Sequence, residues 1–377
     1  MRFASNTPLL QLAAAETKAA PQNAKAAPAA PAAPVMTPAQ AAQARVVALA
    51  LADRFIIPSY RALVQATDAQ EKAWIAFAAK RETSDIQPLI ATYGGACDAW
   101  ATVQLVKTGP ISLFLRTERF AYWPEARNVT QRTLDALLAS NDSKELTPDN
   151  FAHDAVAAQG LTALERLLFG SSPDKNQLLI KAAGRTGQWT TQVGTAIAHN
   201  LSLIAKDVLA EWTAPDGVRA AIAANKGWKM IFADAPEAAR LLLTDLVAGF
   251  KLMHDVKLLP VLGANAGAAK PALAEAWRSS RSQRDLKVNL EAAHAMTKIV
   301  AEPIPAAHKP RIEALYAAAE KAMDAVPADL GEAAADPRRR ARVDTARAAI
   351  KAVQTEIAKT LPADLGITLG FNSLDGD

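Results

Sequence analysis

Cysteine is almost absent from this chain: Cys97 is the only one among 377 residues. No intrachain disulfide can form, and a single thiol does not reveal a redox compartment. Cys97 sits among small residues in the stretch 94–100, where a small buried thiol is the default, and it lies too far along to be an acylated N-terminal cysteine. Long apolar runs are missing as well; nothing approaches the roughly 18 uninterrupted apolar residues of a membrane span. Aromatic residues make up 6% of the chain and there are 17 glycines, while 50% is hydrophobic and much of that is alanine. With few β-branched runs, this composition favours helices. Neither sign of charge predominates: a net +4 over the whole length is a weak field and does not point to nucleic acid. The densest basic run, Arg338-Arg339-Arg340 with Arg342, follows Asp336-Pro337 and reads as a solvated helix start. Recognisable chemistry is lacking too. There is no His-Glu-x-x-His zinc motif, nucleophile elbow, phosphate-binding glycine loop or cysteine pair.

Residues 1–36 read as a leader. Arg2 precedes a short, broken apolar stretch at Pro8–Ala15, which reads either as the remnant of an export signal or as a disordered tail. From about Glu16 to Met36 the chain is Ala/Pro/Lys low complexity, which cannot bury a core and predicts an extended linker. Thr37-Pro38 then supplies an N-cap and a proline at the first helical position. The spacing of Val47, Leu51, Phe55, Leu63, Trp74 and Phe77 predicts a long helix to about Lys80, kinked near Pro58. Ser84-Asp85 caps a second helix ending at Gly109-Pro110, and a short one spans Thr130–Ser140. Asp174 starts a helix reaching about Trp212, softened at Gly184, Gly187 and Gly194. Asp234-Ala235-Pro236 caps the next, and further helices lie near Ala306–Met323 and Pro337–Lys359.

The stretch Phe151–Gly170 predicts one amphipathic helix, with Val156, Leu161, Leu164, Leu167 and Leu168 at three- to four-residue spacing. Thr162 and Glu165 then share a face. A carboxylate set between leucines must be paired, hydrogen-bonded or metal-bound, or else take up a proton.

Gly160-Leu161-Thr162-Ala163-Leu164-Glu165 is similar to the Gly-x-His-x-x-Glu segment of the imelysin-like family, with Thr162 in the histidine position. Other landmarks follow in the family's order: Ile56–Tyr60; Trp100 and Gln104 before Thr108-Gly109-Pro110; Arg116 ahead of Phe120–Pro124. Lys257-Leu258-x-x-Pro260-x-x-Gly263, Glu275-x-Trp277-Arg278-Ser279-x-x-Ser282 and the Phe371–Asp377 ending complete the set. The resemblance implies an all-α fold of two packed helical bundles with pseudo-repeat character, divided here as residues 37–172 and 173–377. An internal echo agrees with it, since a helix ends near Gly109-Pro110 in one half and near Pro260–Gly263 in the other.

The resemblance further implies an exported protein of the periplasm or cell envelope, associated with iron uptake. It would bind a small ligand or an envelope partner protein at the bundle junction, with no catalytic residues. The implied site holds Glu165, Thr162, Gly160, Trp100, Arg116, Arg278, Ser279 and Ser282. In the family this helix carries a metal site, which would make Glu165 a ligand for iron or zinc, but a threonine hydroxyl is a poor ligand for either. Two alternatives stay open: a metallopeptidase of the imelysin type, and a helical scaffold with no small-molecule site. Read by residue type alone, Trp100 and its aromatic neighbours are packing, Arg116 pairs with a nearby carboxylate, and Arg278, Ser279 and Ser282 make an anion site or an ordinary capped helix start. His153, on a continuous helix, would point about 120° away from Glu165. His199 and His254 take satisfied structural roles, His294 and His308 are exposed, and Asp375-Gly376-Asp377 is too small a donor set to hold calcium.

Overall fold

A computed structural model describes residues 36–80, 85–125, 127–153, 156–170 and 184–369. The leader before Met36, the Ser84 cap, the Asp174 helix start and the ending from Gly370 on lie outside the described residues. The chain is all-α, its helices packed in bundles, and no β-strand occurs among the described residues.

Helix α1 (Pro38–Leu51) starts as expected. Thr37 and Gln40 form a reciprocal capping box, each side chain bonding the other's backbone N–H at 3.3 and 2.8 Å. Where a kink is expected, the chain makes a π-helical turn, Ala52–Ile56, and continues as α2 (Ile57–Ala79). The wider turn carries the helix past Pro58, which has no N–H to donate. Helix α3 (Gln87–Val103) begins with the Asp85 carboxylate accepting the Gln87 N–H at 3.0 Å. It stops six residues short of Gly109, because the N–H groups of Lys107 and Thr108 turn instead to the Asp245 carboxylate, at 2.9 and 2.7 Å. Two helices, α4 (Arg116–Phe120) and α5 (Val129–Ser140), follow.

The single helix expected over 151–170 is not there. Instead α6 (Pro148–Ala152), a 3₁₀ turn at Val156–Ala158 and α7 (Leu161–Phe169) follow one another. Gly160 is the reason: it is extended and lies against the Phe120 carbonyl, where an added Cβ would fall 2.5 Å from the oxygen. The helical angle assigned to His153 therefore has no meaning. After α8 (Gly184–Thr213) come α9 (Val218–Ala223) and α10 (Ala235–Lys251), the latter capped by Asp234 accepting from the Glu237 N–H at 2.8 Å. Gly187 and Gly194 do not interrupt α8. A Cβ on Gly194 would fall 2.1 Å from the Trp74 ring, so this glycine is what lets α2 and α8 approach. A second π-helical turn, Leu252–Leu258, again precedes a proline, Pro260, in α11 (Leu259–Leu262). The same device in both halves is a clearer echo than the Pro-Gly turns. The chain finishes with α12 (Ser282–Val300), α13 (Lys309–Asp324), α14 (Leu330–Ala335) and α15 (Arg340–Leu365).

Helix α2 packs against α3 and α8, α1 against α10, and α13 against α15. Helices α3 and α12 form the seam between these groups. Beside that seam lie α7 and the irregular segment 271–281, and there the site is built.

Candidate functional site

A cavity of about 610 Å³ opens beside the α3–α12 seam, walled by α3, residues 121–125 and 127–128, α7, the second π turn and the 272–278 segment. Three tryptophans, Trp100, Trp123 and Trp277, give it flat apolar faces. Trp100 is held by stacking on Phe120, with ring centroids 4.4 Å apart.

Glu165 comes from α7, on the strongly apolar face that buries Leu161, Leu164 and Leu168; only 2% of it is exposed. Its carboxylate reaches across to the 272–281 segment, where Ser279 donates both its N–H (2.9 Å) and its hydroxyl (2.7 Å) to Oε1. Burial pushes the Glu165 carboxyl above its ordinary range, and the Ser279 donors and nearby Arg278 oppose the shift. Thr162, one turn earlier, lies on the same cavity wall. Gly160 is not on the wall; it holds the start of α7 against Phe120.

Arg278 lies between this cavity and a second one of about 330 Å³ toward α14. Its guanidinium packs over the Trp277 ring at 4.4 Å, and its Nε is buried with no hydrogen-bond partner. Burial, followed by the Arg166 charge, lowers its hold on the proton. Ser282 opens α12, donates its hydroxyl to the Glu275 carbonyl at 2.5 Å, and lines the second cavity. Arg116 is elsewhere. Its guanidinium is spent on the Pro110 carbonyl (3.0 Å) and Glu211 (2.7 Å), so the structure does not bring it to the residues with which the sequence groups it.

Several residues of this region carry no local signal in the sequence. Arg166 is fully buried and bonds Glu125 (2.7 Å), Asn128 (3.0 Å) and Gln131 (2.9 Å). Lys257, turned inward by the π segment, donates to Gln104 (2.8 Å) and Asn289 (2.6 Å) and pairs with Glu275. Arg281 joins Asp98 on α3 to Asp285 on α12. Burial, with the Glu275 charge added, raises the Asp285 carboxyl to about 7. The only hint was the Lys257–Gly263 landmark, which marked a turn and no role for its lysine.

Four of the five histidines are occupied. His199 bonds Glu71 (2.7 Å), and His254 bonds Gln354 (2.7 Å) and lies 2.7 Å from the Asp255 carboxylate. His294 is not simply exposed, since its ring stacks on Tyr316 at 4.1 Å between Glu313 and Glu320. His308 bonds Asp364 at 2.6 Å. Among the described residues no group of three or more His, Cys, Asp or Glu is placed to hold a metal ion. The donors around Glu165 do not fit iron or zinc either: a hydroxyl at Thr162, a carboxylate oxygen already taken by Ser279, and the cationic Arg166 and Arg278 near it.

The family model described as Imelysin matches residues 56–357. An imelysin-like protein from Psychrobacter arcticum 273-4 superposes with a TM-score of 0.70 at 18% identity, over 88% of this chain and 98% of that one. A protein described as "a putative iron-regulated protein A precursor", from Parabacteroides distasonis ATCC 8503, superposes with a TM-score of 0.69 at 13% identity, over 86% and 95%. No curated protein matches the chain in sequence.

Proposed function

We propose, from the premise that this chain belongs to the imelysin family, that it is an exported binding protein of the cell envelope associated with iron uptake. It takes a ligand or a partner protein at the cavity beside the α3–α12 seam and does not act as a peptidase. One observation carries this reading: the cavity has the size of a small-molecule site, and its walls come from both halves of the chain, tied together by Glu165 and Ser279. The iron association rests on the family and on the iron-regulated description of one structural neighbour. The absence of a membrane-crossing helix among the described residues is compatible with it.

Metal content and metal titration test the non-catalytic part, with wild type run beside Glu165→Ala and Thr162→His. The expected result is no stoichiometric metal in wild type and a gain of binding in Thr162→His. Stoichiometric metal in wild type, lost in Glu165→Ala and accompanied by peptide cleavage, would replace this reading with the metallopeptidase.

A further inference from the structure

Five carboxylates line the larger cavity, and each is already engaged. Glu125 pairs with Arg166, Glu165 with Ser279, Asp255 with Arg347, Glu275 with Lys257, and Asp285 with Arg281. The three arginines on the same walls are not in that balance. Arg166 is spent on Glu125, Asn128 and Gln131. Neither the Arg278 nor the Arg127 guanidinium has an ion-pair or hydrogen-bond partner among the described residues, and the Arg278 Nε is shut away from water. Arg127 stands exposed at the mouth on left-handed backbone, with φ at 58°. What is left unsatisfied in this cavity is therefore positive.

We infer that the cavity binds a small organic di- or tricarboxylate, with one carboxylate on the Arg278 fork, another at Arg127, and its carbon body against the tryptophan faces. This rests on the ligand-binding reading above and names its ligand class. The volume decides against a bare ion: about 610 Å³ is some twenty times the roughly 30 Å³ share of one water. The guanidinium fork matches a planar carboxylate in two parallel hydrogen bonds, and Arg278, which lines the cavity with no anionic partner of its own among the described residues, is free to offer them. A phosphate would concentrate about two charges on one group close to Glu125 and Glu165, whereas a carboxylate places one. The same chemistry has two sources: the free acid, or the acid wrapped around a ferric ion as an anionic chelate.

Calorimetry and tryptophan fluorescence on the full chain at low ionic strength test this, with citrate, phthalate, ferric citrate and inorganic phosphate as probes. Saturable binding of at least one carboxylate probe is expected, weakened about tenfold or more in Arg278→Gln and several-fold in Arg127→Gln. Arg278→Lys, which keeps the charge but not the fork, should fall between wild type and Arg278→Gln. Arg311→Gln, which breaks only a surface pair with Glu356, should bind as wild type does. Thermal melts of each variant separate lost binding from lost folding, and Arg127→Gln keeps the test open if Arg278→Gln does not fold. Equal binding of citrate and ferric citrate identifies the free acid, and preference for the ferric form identifies the chelate. Binding that Arg278→Gln leaves unchanged, or a preference for phosphate, overturns the inference. A wild type that takes metal alone or an envelope partner through Glu165, but none of the carboxylates, sinks this inference and leaves the ligand-binding reading standing. A wild type that binds nothing sinks both.

Discussion

The α2–α8 contact and the α3–α12 contact are both buried helix seams, but the first is apolar at its centre, with the Glu71–His199 and Asp68–Lys206 pairs beside it, while the second is polar through its core. Between α2 and α8 the fit is steric: Trp74 is fully buried against the bare backbone of Gly194, with Ile197 and Leu201 also in the core. Burial of such a ring is worth roughly 4–6 kcal/mol of transfer free energy, and only its indole N–H is left without a partner. Between α3 and α12 the fit is electrical, with Asp98, Arg281 and Asp285 on one stretch and Gln104, Lys257, Glu275 and Asn289 on the next. The apolar seam tolerates no extra atom. The polar seam tolerates no missing partner, and the cavity opens beside the latter.

The contrast can be broken most severely at Lys257. Its removal in Lys257→Met should strand Glu275 and leave Gln104 and Asn289 short of a donor, at a cost of about 3–5 kcal/mol by urea unfolding. The double variant Lys257→Met/Glu275→Gln should recover most of that loss. A single variant as stable as wild type would show that the polar seam holds nothing together. Next in size is Gly194→Ala. Its methyl would overlap the Trp74 ring and should cost about 2–3 kcal/mol, partly relieved by Trp74→Phe. An unchanged melting temperature would mean that α2 and α8 part easily and that the fit is looser than the geometry implies.

Smallest is the pH response. The buried Asp285 and the half-buried Asp245 are carboxyls raised to about 7 and about 6. As pH rises from about 4 to 7, the unfolded chain releases protons that the native state keeps, so their contribution to stability falls across that window. The ion-paired Asp68, Glu211 and Asp255, held below their ordinary range, act oppositely. Their contribution is present above about pH 4 and is lost as pH falls further. Melting temperature measured from pH 6 to 8 should decline by the equivalent of roughly 1–2 kcal/mol, and Asp285→Asn should flatten that slope. A slope identical in Asp285→Asn would remove Asp285 as its source.

Much of the site can be recognised in the linear pattern, because Glu165 and the Trp277–Ser282 stretch stand in local motifs. The structure puts Glu165 in hydrogen-bond contact with Ser279, and Trp100 and Arg278 on the same cavity. Arg116 also stands in a motif, yet it sits elsewhere, because Glu211 on α8 is the nearer carboxylate. Arg166, Lys257 and Asp285 had no motif to mark them. Arg166 and Lys257 owe their roles to partners far along the chain, Glu125 and Gln104, whereas Asp285 pairs with Arg281 four residues before it, and only the fold ties that arginine to Asp98 on α3.

Local chemistry in the sequence by itself determined the all-α fold, the caps at Thr37 and Asp234 and the broad helical spans, because helix periodicity and capping act within a few residues. Tertiary contact alone decided the break at Gly160, the uninterrupted passage of α8 through Gly194, and the π turns ahead of Pro58 and Pro260. It also decided which charges meet beside the cavity. A glycine looks the same in sequence whether it ends a helix or admits a neighbour's ring. The difference lies in Phe120 and Trp74, which only the folded chain brings near.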